Sequence, residues 1–294
     1  MRLSILDHGH NRRTKVFLTL TSTMSRVDNP DIVKLLLYRP GFLTRPLLEL
    51  TADAMRGQSY WTAAEREYLA MCTAQVHRCP FCIDTHAELT RIAGHGEIDA
   101  DDPASARPPL RAVREFLDTI TRTPDRADTT AVADLPEHAL LEALRVNLVW
   151  NIVNRLANAF GFILREGQLH SGTRALHRFG YRFPGFLLSD GEKPAHCDDV
   201  VADLRRSVLD RPATTDPALR TAAAAGDPLP EPWLSYDATV RDVSYTITDT
   251  DIERLLAAGP TEDQIFEVTV AAAVGAALES FDAGMSALGH TSTS

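Results

Sequence analysis

Cys79 and Cys82, two thiols separated by two residues, have the clearest capacity for chemistry in this sequence. Glu67 precedes the first cysteine by twelve residues, and His86 follows the second by four. Cysteines at this spacing can cycle between a dithiol and a disulfide, while a carboxylate and an imidazole can move the proton that thiol chemistry requires. The four residue types therefore indicate a redox site.

A helix is predicted to carry Glu67. Thr62 is followed three residues later by Glu65, which is the pattern of a capping box and marks the beginning of a helix. Apolar residues then recur at helical spacing as far as Val76. Glu67 is therefore expected within the first two turns of this helix.

A second helix is predicted to carry the other three residues. Cys79 followed by Pro80 suits an N-cap and a first helical residue, which places Cys82 in the first turn of a helix that ends near Gly94. The first turn of a helix favours anions, so the pKa of the Cys82 thiol is expected to fall. His86 lies one turn further along the same face, where its imidazole can exchange a proton with the sulfur.

This set of residues at this spacing resembles the alkylhydroperoxidase-D-like branch of the carboxymuconolactone decarboxylase family. The resemblance covers roughly residues 30–165 and is strongest over 57–94. The catalytic residues that it implies are Glu67, Cys79, Cys82 and His86. It implies that Cys82 attacks a hydroperoxide, that Cys79 resolves the product to a disulfide, and that a dithiol reductant, such as a lipoyl group, reduces this disulfide. Neither a metal nor another cofactor is implied, and the protein is expected to be a homo-oligomer.

The sequence departs from the family pattern at Phe81. The best-known peroxidase members have a second histidine at this position, between the two cysteines, so a proton relay through it is not available here. The choice of nucleophile has two interpretations. The helix end by itself favours Cys79 as the more exposed N-cap thiol, whereas the neighbouring Glu67 and His86 favour Cys82.

A zinc-stabilised, non-enzymatic helical scaffold is an alternative interpretation of the same residues. The possible ligands are Cys79, Cys82 and His86 together with His77 or His95. A structural zinc site usually brings a second Cys or His pair at short spacing, and none is evident in the sequence. We therefore rank the zinc site below the dithiol cycle.

Three other interpretations of the cysteine pair rank below the dithiol cycle. The Cys-Pro-Phe-Cys pattern is also typical of thioredoxin-like proteins, but these need a strand before the first cysteine, and residues 63–78 are predicted to be helical. Lactone decarboxylation belongs to family members without the cysteine pair. A redox-sensing interaction module without enzymatic activity is the third.

Composition excludes several classes of protein. The chain has 294 residues, 44% hydrophobic and 24% charged, and a formal charge of −10 at pH 7, which argues against nucleic acid or an anionic membrane as the default partner. Four cysteines are too few for a disulfide-stapled secreted fold. No apolar run approaches the roughly 18 residues of a membrane span. The expected location is the cytoplasm.

The sequence predicts an all-α protein, a helical bundle of the alkylhydroperoxidase-D-like type, because no stretch shows the alternation of a strand. Residues 1–165 are expected to form the unit with the redox motif, and 166–196 a linker packed by its aromatic side chains. Residues 197–294 are expected to form a second unit. Within the first unit, residues 1–27 are weakly patterned and are expected to be a solvated leader.

The second unit resembles the first. Residues 261–285 align with 136–160 at an offset of 125, which places Glu267 opposite Glu142. The second unit has no counterpart of the Cys-x-x-Cys helix, so two tandem related units are expected, of which the second is degenerate. We expect its long helix to pack against the helix that ends the first unit and to carry no chemistry.

A polar stripe follows one face of the otherwise apolar helix that ends the first unit. Its members are Asn147, Asn151, Asn154 and Asn158. Buried amides need hydrogen-bond partners, so the stripe is expected to contact another helix, another subunit or the edge of the active site. Bonding between helices is the favoured interpretation.

Overall fold

The computed structural model describes residues 1–188 and 199–290. These residues form fourteen α-helices and no β-strand, which confirms the predicted all-α class. The helices are α1 Ile5–His8, α2 Arg12–Ser25, α3 Asp31–Tyr38, α4 Arg45–Arg56, α5 Ala63–Val76, α6 Pro80–Gly94, α7 Pro108–Arg122, α8 Glu137–Phe160, α9 Gln168–Phe179, α10 Val200–Leu209, α11 Pro217–Ala225, α12 Leu234–Val243, α13 Asp249–Ala257 and α14 Glu262–Ala287.

The helices that carry the redox motif begin where the local signals place them. Thr62 caps α5 with a complete capping box, in which its hydroxyl accepts from the Glu65 amide at 3.2 Å and its own amide donates to the Glu65 carboxylate at 2.9 Å. Cys79 is the N-cap of α6, and Pro80 is the first helical residue. These predictions are confirmed. The two helices pack against each other along their length, and α8 contacts both.

The segment predicted to be a linker contains a helix. α9 lies within residues 166–196 and packs against α6. Gly167 and Gly180, with φ of 79° and 61°, flank this helix in the left-handed conformation that glycine adopts without strain. The two glycines are therefore the ends of a helix that packs against the helix of the redox motif.

The prediction of a solvated leader is wrong for three of the first ten residues, although His8 is exposed. Leu3 and Leu6 are completely buried, and His10 is buried as well. The Arg2 amide donates to the carbonyl of Phe160 at 2.9 Å, which attaches the beginning of the chain to the end of α8. Two buried leucines in so short a stretch are too few to show helical periodicity, so their burial was not visible in the sequence.

Three members of the asparagine stripe, Asn147, Asn151 and Asn158, bond outside α8, which confirms the favoured interpretation for them. Asn154 instead donates to the Trp150 carbonyl within α8. Asn147 donates to Thr73 of α5 at 3.2 Å and to Thr121 of α7 at 3.1 Å. Asn151 accepts from His77 at 2.7 Å. Because the amides of Asn147 and Asn151 are buried, the bonds fix the rotation of α8 relative to α5 and α7.

α14 packs against α8, as predicted for the last long helix. A Cβ atom at Gly284 would lie 2.4 Å from Leu144, so the glycine permits the close approach of the two helices. By length and composition α14 could cross a membrane, so the expectation that no apolar run approaches that length is wrong for this helix. In the structure, however, 89% of the apolar 18-residue segment of α14 is buried, as in the core helix of a globular fold.

Gly275→Ala is expected to destabilise the protein by about 3 kcal/mol, the upper part of the range for overpacking. The added Cβ would lie 2.0 Å from the backbone oxygen of Ala224, so α11 would have to move away from α14. Chemical denaturation would measure the loss. Gly172→Ala in α9 is the control, because its Cβ would make an ordinary 3.5 Å contact with Pro30 and should stabilise the helix slightly. Equal stability of the two variants would contradict the close packing.

Candidate active site

Glu67 and His86 meet between α5 and α6. The Nδ1 atom of His86 lies 2.8 Å from Oε2 of Glu67, and both side chains are almost completely buried. Because a carboxylate only accepts hydrogen bonds, Nδ1 carries a proton, which leaves Nε2 as the nitrogen that can exchange a proton with a thiol. Glu67 therefore orients His86 as a base, with its basic nitrogen directed away from the carboxylate.

Two further side chains hold the Glu67 carboxylate. Arg56, at the end of α4, donates to Oε1 at 2.5 Å, and the hydroxyl of Tyr181 lies 3.0 Å from both carboxylate oxygens. Burial by itself would raise the pKa of Glu67, but the hydrogen bond and charge of His86 and the charge of Arg56 outweigh it and lower that pKa. Glu67 is therefore ionised at neutral pH although no water reaches it.

Both motif cysteines are buried, each with 1% of its surface exposed, and both are free thiols. The expectation that Cys79 is the more exposed thiol is therefore wrong. Burial raises the pKa of Cys82 well above its ordinary value, and the hydrogen bond with Cys79 raises it further. The expected fall of this pKa at the helix start is also wrong, because desolvation of a thiolate outweighs the field of one helix end.

An apolar cavity of about 50 Å³ adjoins Cys82 and His86. Its other walls are mostly aliphatic and aromatic side chains of α3, α4, α8 and α9. Phe81 lies in the wall and packs against Phe162, with ring centroids 5.4 Å apart. Cys79 is not among the lining residues in the described part of the chain. A small molecule in this cavity would meet the sulfur of Cys82 before that of Cys79.

Three side chains at the site were not found by sequence reasoning: Arg56, Trp150 and Tyr181. The ring of Trp150 lies edge-on to His86, with centroids 3.9 Å apart. Tyr181 follows α9 and lies 114 residues from Glu67, within the segment that the sequence predicts to be a linker. Arg56 ends a helix one residue before Gly57, which resembles an ordinary cationic C-terminus. No local pattern connects any of the three with the motif.

The ligands of the alternative zinc site do not converge. Within residues 1–188 and 199–290, no group of three or more His, Cys, Asp or Glu side chains could hold a metal ion. His77 bonds to Asn151, and His95 caps the opposite end of α6 from the cysteines. At 1.5 Å per residue, the fifteen residues of α6 separate His95 from Cys79 by about 22 Å.

No family model and no curated protein matches this chain. The geometry of the four motif residues and of the side chains around them is therefore the basis for a functional proposal.

Mild oxidation is expected to link Cys79 to Cys82 and to leave Cys72 reduced. Residues three apart on a helix have Cβ atoms about 5–6 Å apart, which a small adjustment brings to the roughly 3.5–4.5 Å of a disulfide. Cys72 is buried on α5, and burial raises the pKa of its thiol to about 12. The sequence predicts that Cys197 also stays free, but this residue lies outside the described part of the chain.

Peptide mapping after oxidation by one equivalent of a disulfide reagent would check this pairing. Cys72→Ser is the matched control and should give the same disulfide. A main product that contained Cys72 or Cys197 would contradict the assignment.

Proposed function

We propose that this protein is a thiol-dependent oxidoreductase that reduces hydroperoxides through a dithiol and disulfide cycle of Cys79 and Cys82. The observation that carries the proposal is the shared cavity of Cys82 and His86, with Glu67 bonded to the far side of the imidazole at 2.8 Å. A buried thiol next to an oriented base has the arrangement of an activated nucleophile.

The first step of the proposed cycle is deprotonation of Cys82. Nε2 of His86 takes the thiol proton, and the ionised Glu67 stabilises the resulting imidazolium. As this proton leaves, the Cys82 sulfur attacks the outer oxygen of the hydroperoxide. An S–O bond forms, the O–O bond breaks, and the leaving alkoxide takes the proton from His86 to give an alcohol. The product on the protein is a sulfenic acid at Cys82.

The second step closes the disulfide. The Cys79 sulfur attacks the Cys82 sulfenic acid, a disulfide forms and water leaves. A dithiol reductant, of which a lipoyl group is the type suggested by the family resemblance, then exchanges with this disulfide. Its two thiols become a disulfide, and Cys79 and Cys82 return to the thiol form. The raised pKa of Cys82 means that the resting site holds a thiol, so proton transfer to His86 accompanies the attack.

The same proposal covers the organisation of the chain. We propose that the fold is a helical bundle of the alkylhydroperoxidase-D-like type with two tandem units, in which α8 and α14 occupy corresponding positions. Contact of these two helices in one apolar core supports that arrangement. The proposal further includes a cytoplasmic location and a homo-oligomeric state, with no nucleic acid or membrane as partner.

Consumption of an organic hydroperoxide by the purified protein, with a dithiol as reductant, tests the proposal. We expect one dithiol oxidised per hydroperoxide consumed by the wild type and by the control Cys72→Ser, and none by Cys82→Ser. Since serine is close to cysteine in size, Cys82→Ser should keep the fold, which circular dichroism would verify. Equal consumption by Cys82→Ser and the wild type would overturn the proposal.

A further inference from the structure

A second cavity, of about 410 Å³, lies beside the connection between α5 and α6. Four arginines line it, contributed by this connection and by α7, α8 and α12: Arg78, Arg122, Arg155 and Arg241. Two carboxylates line it as well, Asp242 and Glu279. A positively charged hollow of this size stands out in a protein with a formal charge of −10.

Arg155 is the central member of this set. It is 95% buried, with 5% of its surface exposed, and it makes no ion pair within 4 Å among the described residues. Its Nε donates to the carbonyl of Arg241 at 2.8 Å, and its Nη1 donates to the backbone and side-chain oxygens of Asn151 at 3.1 and 2.9 Å. All of these acceptors are neutral. Burial and the charge of Arg241 lower the pKa of Arg155 to about 10, so it still carries its charge at neutral pH.

The carboxylates in the cavity do not balance the arginines. Glu279 already pairs with Arg241 at 2.6 Å. Asp242 is exposed and lies beyond ion-pair distance of the described arginines. Arg122 ends α7, and its side chain makes no hydrogen bond or ion pair with the described residues. The guanidinium of Arg78 lies over the ring of Tyr245, 4.6 Å from its centroid. The cavity therefore has an excess of guanidinium donors.

We propose that this cavity binds a small anion that carries phosphate or carboxylate groups. A buried cation without an ion-pair partner is costly, and an anion in the cavity would supply one. The described residues offer no acceptor for Nη2 of Arg155. This nitrogen and the guanidinium of Arg122 present the planar donor pattern by which arginine binds phosphate and carboxylate groups. This site is independent of the proposed peroxidase activity, although Arg78 directly precedes Cys79.

Inorganic phosphate and succinate would test binding of a phosphate and of a carboxylate, respectively. Sodium chloride at the same ionic strength is the control. Thermal unfolding and titration calorimetry are the measurements, because an anion that binds only the folded state raises its stability. We expect saturable binding and a higher melting temperature with one of the two anions, and the tighter anion identifies the class. The proposal would be overturned if neither phosphate nor succinate raised the melting temperature more than chloride does.

Arg122→Gln is the test variant, since its side chain is exposed and bears no structural hydrogen bond. We expect about tenfold weaker binding or more, as for the loss of one charged hydrogen bond. Arg126→Gln removes the same charge from a neighbouring turn outside the cavity and should bind like the wild type. Arg155→Gln should abolish binding if it folds. Equal weakening in Arg122→Gln and Arg126→Gln would show general electrostatics in place of a site and would overturn the proposal.

Discussion

Cys79→Ser is expected to consume one equivalent of hydroperoxide per chain and then to lose nearly all steady-state turnover. Cys82 would still attack the peroxide, because it lines the apolar cavity beside His86. Its sulfenic acid would persist, since serine cannot form the disulfide with which the dithiol reductant exchanges. The measurement is hydroperoxide consumption over many equivalents with a dithiol present.

A sulfenic acid trap and mass spectrometry would assign the roles of the two thiols. The trap should modify Cys82 in the Cys79→Ser variant and little of the wild type, in which the disulfide forms instead. Cys82→Ser should give neither the first equivalent nor a trapped adduct. The opposite result, with a sulfenic acid on Cys79 in Cys82→Ser, would make Cys79 the nucleophile, as its position at the helix end suggested.

Glu67→Gln is expected to lower turnover by about 10²–10⁴-fold, the usual contribution of general acid and base catalysis. Glutamine keeps the size of the side chain but removes the charge that stabilises the imidazolium of His86. Its amide can also turn a donor toward Nδ1, which would favour the wrong tautomer of the imidazole. The rate of hydroperoxide consumption and the pH profile of Cys82 alkylation would both report the loss.

The same variant should also be less stable than the wild type. A glutamine at position 67 removes the carboxylate partner of Arg56, whose side chain is only 16% exposed, so a loss of about 3 kcal/mol is expected. Because the folded-state pKa of Glu67 is lowered, its contribution to stability is complete above its ordinary value of 4.5 and is lost as pH falls through the folded-state pKa. The difference in unfolding free energy between the wild type and Glu67→Gln should therefore disappear at acidic pH.

Two control variants separate catalysis from structure. Glu115→Gln removes an exposed carboxylate of α7 and should change neither rate nor stability. Tyr181→Phe removes one hydrogen bond from Glu67 but leaves Arg56 and His86 in place, so we expect a smaller loss of rate. Turnover and an alkylation profile that are unchanged in Glu67→Gln would show that Glu67 is a structural carboxylate with no part in the chemistry.

The sequence by itself determined the features that depend on neighbours along the chain. Capping boxes, an N-cap followed by proline and apolar residues at helical spacing predicted the beginnings of α5 and α6 and the all-α class. The spacing from Cys82 to His86 placed both residues on one face of a helix. These properties follow from backbone hydrogen bonding and side-chain periodicity within a few residues, so they do not require knowledge of the rest of the fold.

The tertiary structure alone decided the electrostatics of the site. A helix start favours a thiolate, yet the pKa of Cys82 rises, because packing from α3, α4, α8 and α9 removes the water that would solvate the charge. Glu67 is buried, and the hydrogen bond and charge of His86, together with the charge of Arg56, hold its pKa below the ordinary value. Desolvation depends on which distant segments cover a residue, and the contact between Tyr181 and Glu67 crosses 114 residues of sequence. No pattern within one helix contains that information.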